Sequence, residues 1–307
     1  MAGRTMARWP PVRHTWGMIT LQFAGYQPAR SVHTRALHAL RESVERRGGD
    51  SLAIMVTDSI VAAGHRAADL LRMVASGELD GCYFASSYLA AKVPALDIFD
   101  RPFQAGAREA VFAGLDSDNG AALADSVAAA TPYRVLAWWD NGIRHISNAV
   151  RPIRTPADCA DLRLRTLDNA RHQAAFRRLG FKPIFIDVAA LPSAVADGTV
   201  DAQENPLTNM VNFDLHRHHL HVSLTGHLLG VAPLLINRTR YEGLAGGLRA
   251  VLDAAARDSE AAQRALAVAE DTACLRLLAD AGVAVLGPDA IDLAAFRVQA
   301  AENEPKP

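Results

Sequence analysis

Residues 162–206 constrain this chain more than any other stretch, because two incompatible hydrophobic periods alternate within them. Leu162 and Leu164 alternate with Arg163 and Arg165, the period of two that marks a strand. Residues 170–179 carry a helical pattern that stops at Gly180, and 181–188 read as the next strand. Residues 191–196 are helical again, with Gly198 placed just past the helix end. Residues 200–205 then form a short strand or turn before Pro206. Strand, helix, strand, helix, strand in that order predicts a mostly parallel sheet joined by right-handed crossovers. Ligands of such sheets bind at the carboxyl ends of the strands, where Arg165 and Asn205 both fall. A guanidinium offers a rigid fork of donors that matches a carboxylate bidentately. The competing reading of Arg165 is an ordinary surface arginine in a loop.

The amino-terminal half has the same rhythm. Residues 19–24 alternate as a strand, and 33–47 form an amphipathic helix with Leu37, Leu40 and Val44 on one face, ending at Gly48 and Gly49. A strand at 52–56, a helix at 67–75 and a strand at 82–85 follow, the last ending in Ser86 and Ser87. Val-Ala-Ser-Gly-Glu-Leu-Asp, ending at Asp80, echoes Val-Ala-Asp-Gly-Thr-Val-Asp, ending at Asp201. We read the echo as two α/β lobes of similar build, each presenting a polar strand end to a ligand. Further on, 96–103 read as a loop and 109–130 as helices broken near 116–118. A strand at 133–139 leads into 141–148, the expected crossing between lobes, and 228–237 is the expected return strand. Residues 248–278 are alanine-rich helix, interrupted at most once.

Several motifs then act together. Arg165 after Leu-Arg-Leu, Leu179-Gly180, and Gly198-x-x-Asp201-x-Gln203-Glu204-Asn205-Pro206 stand beside Trp138-x-x-Asn141-Gly142-x-Arg144, Ser147-Asn148, Pro152-Ile153-x-Thr155-Pro156-x-Asp158 and Leu224-Thr225-Gly226-His227. The ordered set, from about residue 19 to about 296, resembles the substrate-binding proteins of tripartite ATP-independent periplasmic (TRAP) transporters. The resemblance implies a two-lobed α/β fold of the periplasmic-binding-protein kind, each lobe a mixed, mostly parallel sheet flanked by helices, hinged around a cleft. We expect lobe I at 18–141 plus 231–270 and lobe II at 142–230 plus 271–307, with 1–17 disordered. The implied function is capture of a small organic acid and delivery to TRAP membrane permease subunits, as a monomer in the periplasm, with no cofactor and no chemistry on the ligand.

The resemblance also implies site roles. Arg165 would be the main carboxylate clamp and Asn205 a second donor to the same group. Arg144 would either contact the ligand or prop the clamp. Asp168 would touch the rest of the ligand or simply cap the helix that follows. Tyr26 and Ser86 match ligand-contacting positions on the first lobe. Val188 and Pro192 stand where relatives carry an aromatic and a tyrosine, so the identity of the acid does not carry over, and the carboxyl end looks short for the family.

Composition sets the exclusions. Half the residues are hydrophobic and 21% charged, which allows a sizeable core. A formal net charge of −1 with no basic, aromatic-interleaved tract argues against nucleic acid as a partner. Cys82, Cys159 and Cys274 lie far apart and are expected as buried free thiols. No apolar run of signal-peptide length is visible near the start, and no span of transmembrane length anywhere. Hence a second expectation, a cytoplasmic sensor or enzyme for an organic acid on the same scaffold. His216, His218, His219 and His221 invite a metal reading, which Arg217 among them and their alternating faces oppose. His227 matches a family position and is expected to be structural. Trp138 and Trp139 could line a cleft, though strand tryptophans more often belong to core. Asp201 and Glu204 could suggest paired acid–base carboxylates, but no nucleophile–base pair or phosphate-cradling loop accompanies them.

Overall fold

The structure, a computed structural model, describes residues 17–104 and 106–301; the expectations for the extreme amino terminus fall on residues 1–16 and lie outside it. The strands are β1 (Ile19–Ala24), β2 (Leu52–Thr57), β3 (Gly81–Tyr83), β4 (Tyr133–Asn148), β5 (Arg163–Thr166), β6 (Lys182–Phe185), β7 (Ala202–Pro206), β8 (His221–Asn237) and β9 (Ala284–Leu286). The helices are α1 (Val32–Gly48), α2 (Asp69–Ser76), α3 (Arg108–Leu115), α4 (Asp118–Ala130), α5 (Ala170–Arg178), α6 (Leu191–Ala196), α7 (Leu207–Asn212), α8 (Arg238–Glu242), α9 (Gly246–Asp280) and α10 (Leu293–Ala300). Hydrogen bonding runs unbroken in the order β2-β1-β3-β8-β4-β7-β5-β6, with β9 beside β8. The parallel set β2-β1-β3 builds one α/β lobe and the parallel set β7-β5-β6 the other.

Two long antiparallel strands join them. The crossing expected as a short strand followed by a connection is one strand, β4, and it pairs with β8 along nearly its whole length. The pairing is continuous because the residues past Trp139 keep finding partners on β8, which starts at His221, before the return strand expected at 228–237. Its register shifts at three places, the middle one between Asp140 and Ile143. There Gly142 takes φ +85°, a backbone state only glycine adopts without strain, and a Cβ would sit 2.7 Å from the Cβ of Pro206. α9 runs uninterrupted across both lobes, burying Leu252, Ala255 and Ala256 in the first core and Cys274 and Leu278 in a second. Its alanine content explains the continuity, since alanine costs no side-chain entropy in a helix and lets neighbours pack closely.

The echo between residues 74–80 and 195–201 is a structural repeat. Gly77 and Gly198 end α2 and α6 with φ +78° and +72°. Leu79 N–H then bonds Met73 O, and Val200 N–H bonds Ala194 O. Asp80 exchanges bonds with Gln22 of β1, receiving Gln22 N–H on its carboxylate and donating its own N–H to Gln22 O. Asp201 does the same with Arg163 of β5. Each aspartate thus ties the strand it precedes to the neighbouring parallel strand.

Locally the elements follow from sequence. Ser31 caps α1 by accepting Thr34 N–H, and Leu37, Leu40 and Val44 are fully buried in the largest core. Asn169 caps α5 by accepting His172 N–H. The three cysteines are buried and free. Among the described residues, no helix is long and apolar enough to cross a membrane.

Candidate functional site

Between the lobes lies a small cavity of about 20 Å³, walled by residues at the carboxyl ends of β1, β3, β5 and β6, with Asn141 and Arg144 from β4 and Asn205 and Asn209 from β7 and α7. Tyr26, Phe84 and Tyr88 give it an aromatic side. Tyr26 and Phe84 pack with ring centroids 5.2 Å apart, and Phe84 meets Tyr88 edge-on at 4.6 Å. Burial pushes the Tyr26 phenol up to about 12, so it stays neutral.

Arg165, at the end of β5, is completely buried. Its Nε donates to the backbone oxygen of Ile186 at 2.8 Å, whereas its Nη2 has no partner in the protein. Among the described residues no carboxylate lies within ion-pairing distance, and burial pulls its pKa below the ordinary arginine value. An unpaired cation out of water is costly, so this guanidinium is built to receive something negative.

Arg144 is placed differently. Arg144 on β4 and Glu204 on β7 sit diagonally across an antiparallel pair, two positions apart on one face. Arg144 donates from Nε and Nη2 to the two oxygens of Glu204 at 2.5 and 2.6 Å, and from Nη2 also to the Glu204 backbone oxygen at 2.7 Å. Burial opposes both charges. For Glu204 the Arg144 charge outweighs it and, with His172 and His227, holds the carboxyl well below the usual range. For Arg144 the same pairing overcomes burial and raises its pKa. The two forks do not face the cleft as equals: one is neutralised from behind, and the other is free.

His227 Nε2 lies 3.2 Å from Glu204, and His172 Nε2 3.8 Å from it. Burial lowers both histidines and holds His172 at about 4, so both are neutral near pH 7. The donor atoms of His172, Glu204 and His227 lie within 4.8 Å of one another, close enough in principle for a cation. Arg144 already occupies both Glu204 oxygens and would repel one.

The other expected site residues distribute unevenly. Tyr26 and Asn205 line the cavity. Asn205 spends part of its amide internally, donating to Gln203 Oε1 at 2.5 Å and accepting from Asn209 Nδ2 at 3.2 Å. Ser86 is buried but not in the cavity wall, where Ala85 stands instead. Asp168 is exposed and outside the wall, and the helix cap falls to Asn169. The reason for both is register: a residue just past a strand end turns toward or away from the cleft with each step of the chain. Asp201 pairs with Arg163 at 2.6 Å, away from Glu204. In the histidine cluster, His219 is buried against Ser147 at 3.0 Å. Trp139 is fully buried and Trp138 nearly so, both in the first core. Sequence reasoning did not single out Asn141, Tyr88, Asn209 or His172; Asn141 stood in a quoted motif, which was the available signal.

Several contacts close the lobes over the cavity. Gln27 Nε2 donates to Asn209 Oδ1 at 3.1 Å, and Arg171 pairs with Asp97 at 3.1 Å. Phe103 N–H donates to His227 O at 2.6 Å. Asp100, pushed up to about 6 by burial, accepts from Asn169 Nδ2 at 3.0 Å and from Ser87 Oγ.

Comparison with known proteins agrees with this geometry. The family model described as DctP, bacterial extracellular solute-binding protein, family 7, matches residues 23–304. A solute-binding protein of Verminephrobacter eiseniae is 29% identical over 262 residues, 85% of this chain and 76% of its own length. A TRAP periplasmic solute-binding protein of Bordetella bronchispeptica, whose crystal structure holds density assigned as pantoate, superposes with TM-score 0.85 at 29% identity, covering 92% of this chain and 91% of that one. Another from Polaromonas sp. JS666, bound to D-erythronate, gives TM-score 0.86 at 28% identity with coverages of 92% and 91%.

Proposed function

The chain belongs to the DctP family of bacterial extracellular solute-binding proteins, family 7, and from that premise we propose that Arg165 clamps the carboxylate of a small organic acid held between the lobes. The protein is a solute-binding protein of the TRAP type, with a mixed α/β two-lobed fold. The observation that carries the site assignment is the buried guanidinium of Arg165, lining the cavity with Nη2 unpartnered and no acid beside it. Asn205 serves as a neighbouring polar contact, and Tyr26 forms the aromatic wall. Arg144 acts as a positioning residue fixed by Glu204. Asp168 has no part in the contact, and Ser86 supports the wall from behind Ala85.

The lobes divide at 18–141 plus 231–270 and 142–230 plus 271–307. Separate apolar clusters and the β4 slip at Gly142 support that division. Ligand bridging both lobes shifts the population toward the closed form, in which Gln27–Asn209 and Asp97–Arg171 meet. The protein works in the periplasm as a monomer, hands the acid to TRAP membrane permease subunits and does no chemistry on it.

Calorimetric titration with a panel of organic acids, paired with small-angle scattering, tests this reading. We expect one acid class to bind with compaction of the protein, and Arg165→Ala to abolish both signals. Equal binding by the two proteins would remove Arg165 from the role.

A further inference from the structure

A second side chain of the cavity wall has a buried polar atom without a partner. Asn141 sits at the β4 slip and is 4% exposed, and its Oδ1 is buried without a partner. Among the described residues its amide makes no side-chain hydrogen bond at all, in contrast to Asn205 and Asn209, whose amides bond to each other. Gly230 on β8 makes the room: a Cβ there would lie 3.0 Å from the Asn141 Cβ and 3.1 Å from its Nδ2. A buried amide oxygen left without a donor costs more than a satisfied one, unless a ligand group donates to it. A hydroxyl does that.

Charge counting narrows the ligand further. The wall holds two arginines; Arg144 is cancelled by Glu204, leaving one net positive charge, on Arg165. A second carboxylate would enter a small, partly aromatic cavity with, among the described residues, no free cation to meet it, at the cost of desolvating an unpaired charge. Among the described residues no acidic side chain lines the wall, so an amine would also go unpaired.

Resting on the reading of the cleft as an organic-acid site, we propose that it selects monocarboxylates bearing hydroxyl groups, with Arg165 taking the carboxylate and Asn141 reading a hydroxyl, and that it rejects dicarboxylates and amino acids.

The test is calorimetric titration of the full chain with two length-matched series. The four-carbon series is erythronate, butyrate, succinate and 4-aminobutyrate; the six-carbon series is gluconate, hexanoate, adipate and 6-aminohexanoate. We expect the hydroxy acid of at least one series to bind at least tenfold tighter than its three length-matched partners. In Asn141→Ala that preference over the unsubstituted acid should shrink at least fivefold. Asn141→Ser, which keeps a hydroxyl partner and fits the same space, should recover part of the preference, and the melting temperature of each variant reports its folding. A dicarboxylate, amino acid or unsubstituted acid binding as tightly as the hydroxy acid would overturn the proposal and leave the organic-acid reading standing. Binding of none of the eight would overturn both, whatever the variants do.

Discussion

Glu204 grips Arg144 with both of its carboxylate oxygens, at 2.5 and 2.6 Å, and by doing so makes Arg165, among the described residues, the one cation in the cavity wall that has no acid. A buried ion pair of this kind contributes little net stability compared with apolar residues, but breaking it leaves an uncompensated charge. Its effect here is to fix where positive charge is available.

The Arg144–Glu204 pair is therefore expected to behave asymmetrically on mutation. Glu204→Gln should lower the unfolding free energy by about 3–5 kcal/mol, the usual cost of orphaning one member of a buried pair. Arg144→Met combined with Glu204→Met should cost much less than the sum of the two single changes. Urea denaturation of the four proteins in a double-mutant cycle measures the coupling.

Arg165 should show the opposite balance between binding and stability. Arg165→Ala is expected to weaken binding of the acid ligand by about 3 kcal/mol or more, over a hundredfold, because a carboxylate would lose its paired donor in a dry site. The ligand-free protein should melt at the same temperature or higher, since a fully buried cation is removed. Arg165→Lys should restore charge without the fork and recover only part of the affinity. Thermal melting with and without ligand reports both quantities.

Acid sensitivity should depend on His33. The ring is buried and stacked 4.9 Å from Tyr83, neither nitrogen has a partner, and burial lowers its pKa from 6.5 to about 3. Between those values the unfolded chain binds the proton and the folded one does not. Stability from this residue is therefore present above pH 6.5 and is lost as pH falls toward 3. From pH 7 to pH 5 the loss is about 2 kcal/mol. His33→Phe should reduce the pH 7 to pH 5 difference in unfolding free energy by that amount, while Asp100 and Asp140, which titrate in the opposite sense, act equally in both proteins.

The repeated aspartates should differ in weight despite equivalent positions. Asp80 is 5% exposed and holds Arg240 as well as Gln22, so Asp80→Ala should cost about 3 kcal/mol. Asp201 pairs with a half-exposed Arg163, where water replaces much of the interaction, and Asp201→Ala should cost about 1 kcal/mol. Chemical denaturation of the two variants gives the comparison.

Much of the architecture was legible in the chain because its signals are local. The alternation at 162–165 and the glycines ending α2 and α6 each depend on neighbours a few residues away, and each appears where the pattern placed it. The strand β4 was read too short because a strand continuing through a polar, glycine-containing slip looks, residue by residue, like a loop.

The sequence by itself determined the order of strands and helices, the twofold likeness of the lobes and the presence of Arg165 at a strand end. Only the tertiary structure decided which charges survive at the cleft: Glu204 meets Arg144 across 60 residues of chain, Asn141 keeps its amide free, and Asp168 turns to solvent. Backbone periodicity is written in adjacent residues. Charge pairing and desolvation belong to atoms that become neighbours after the chain has folded.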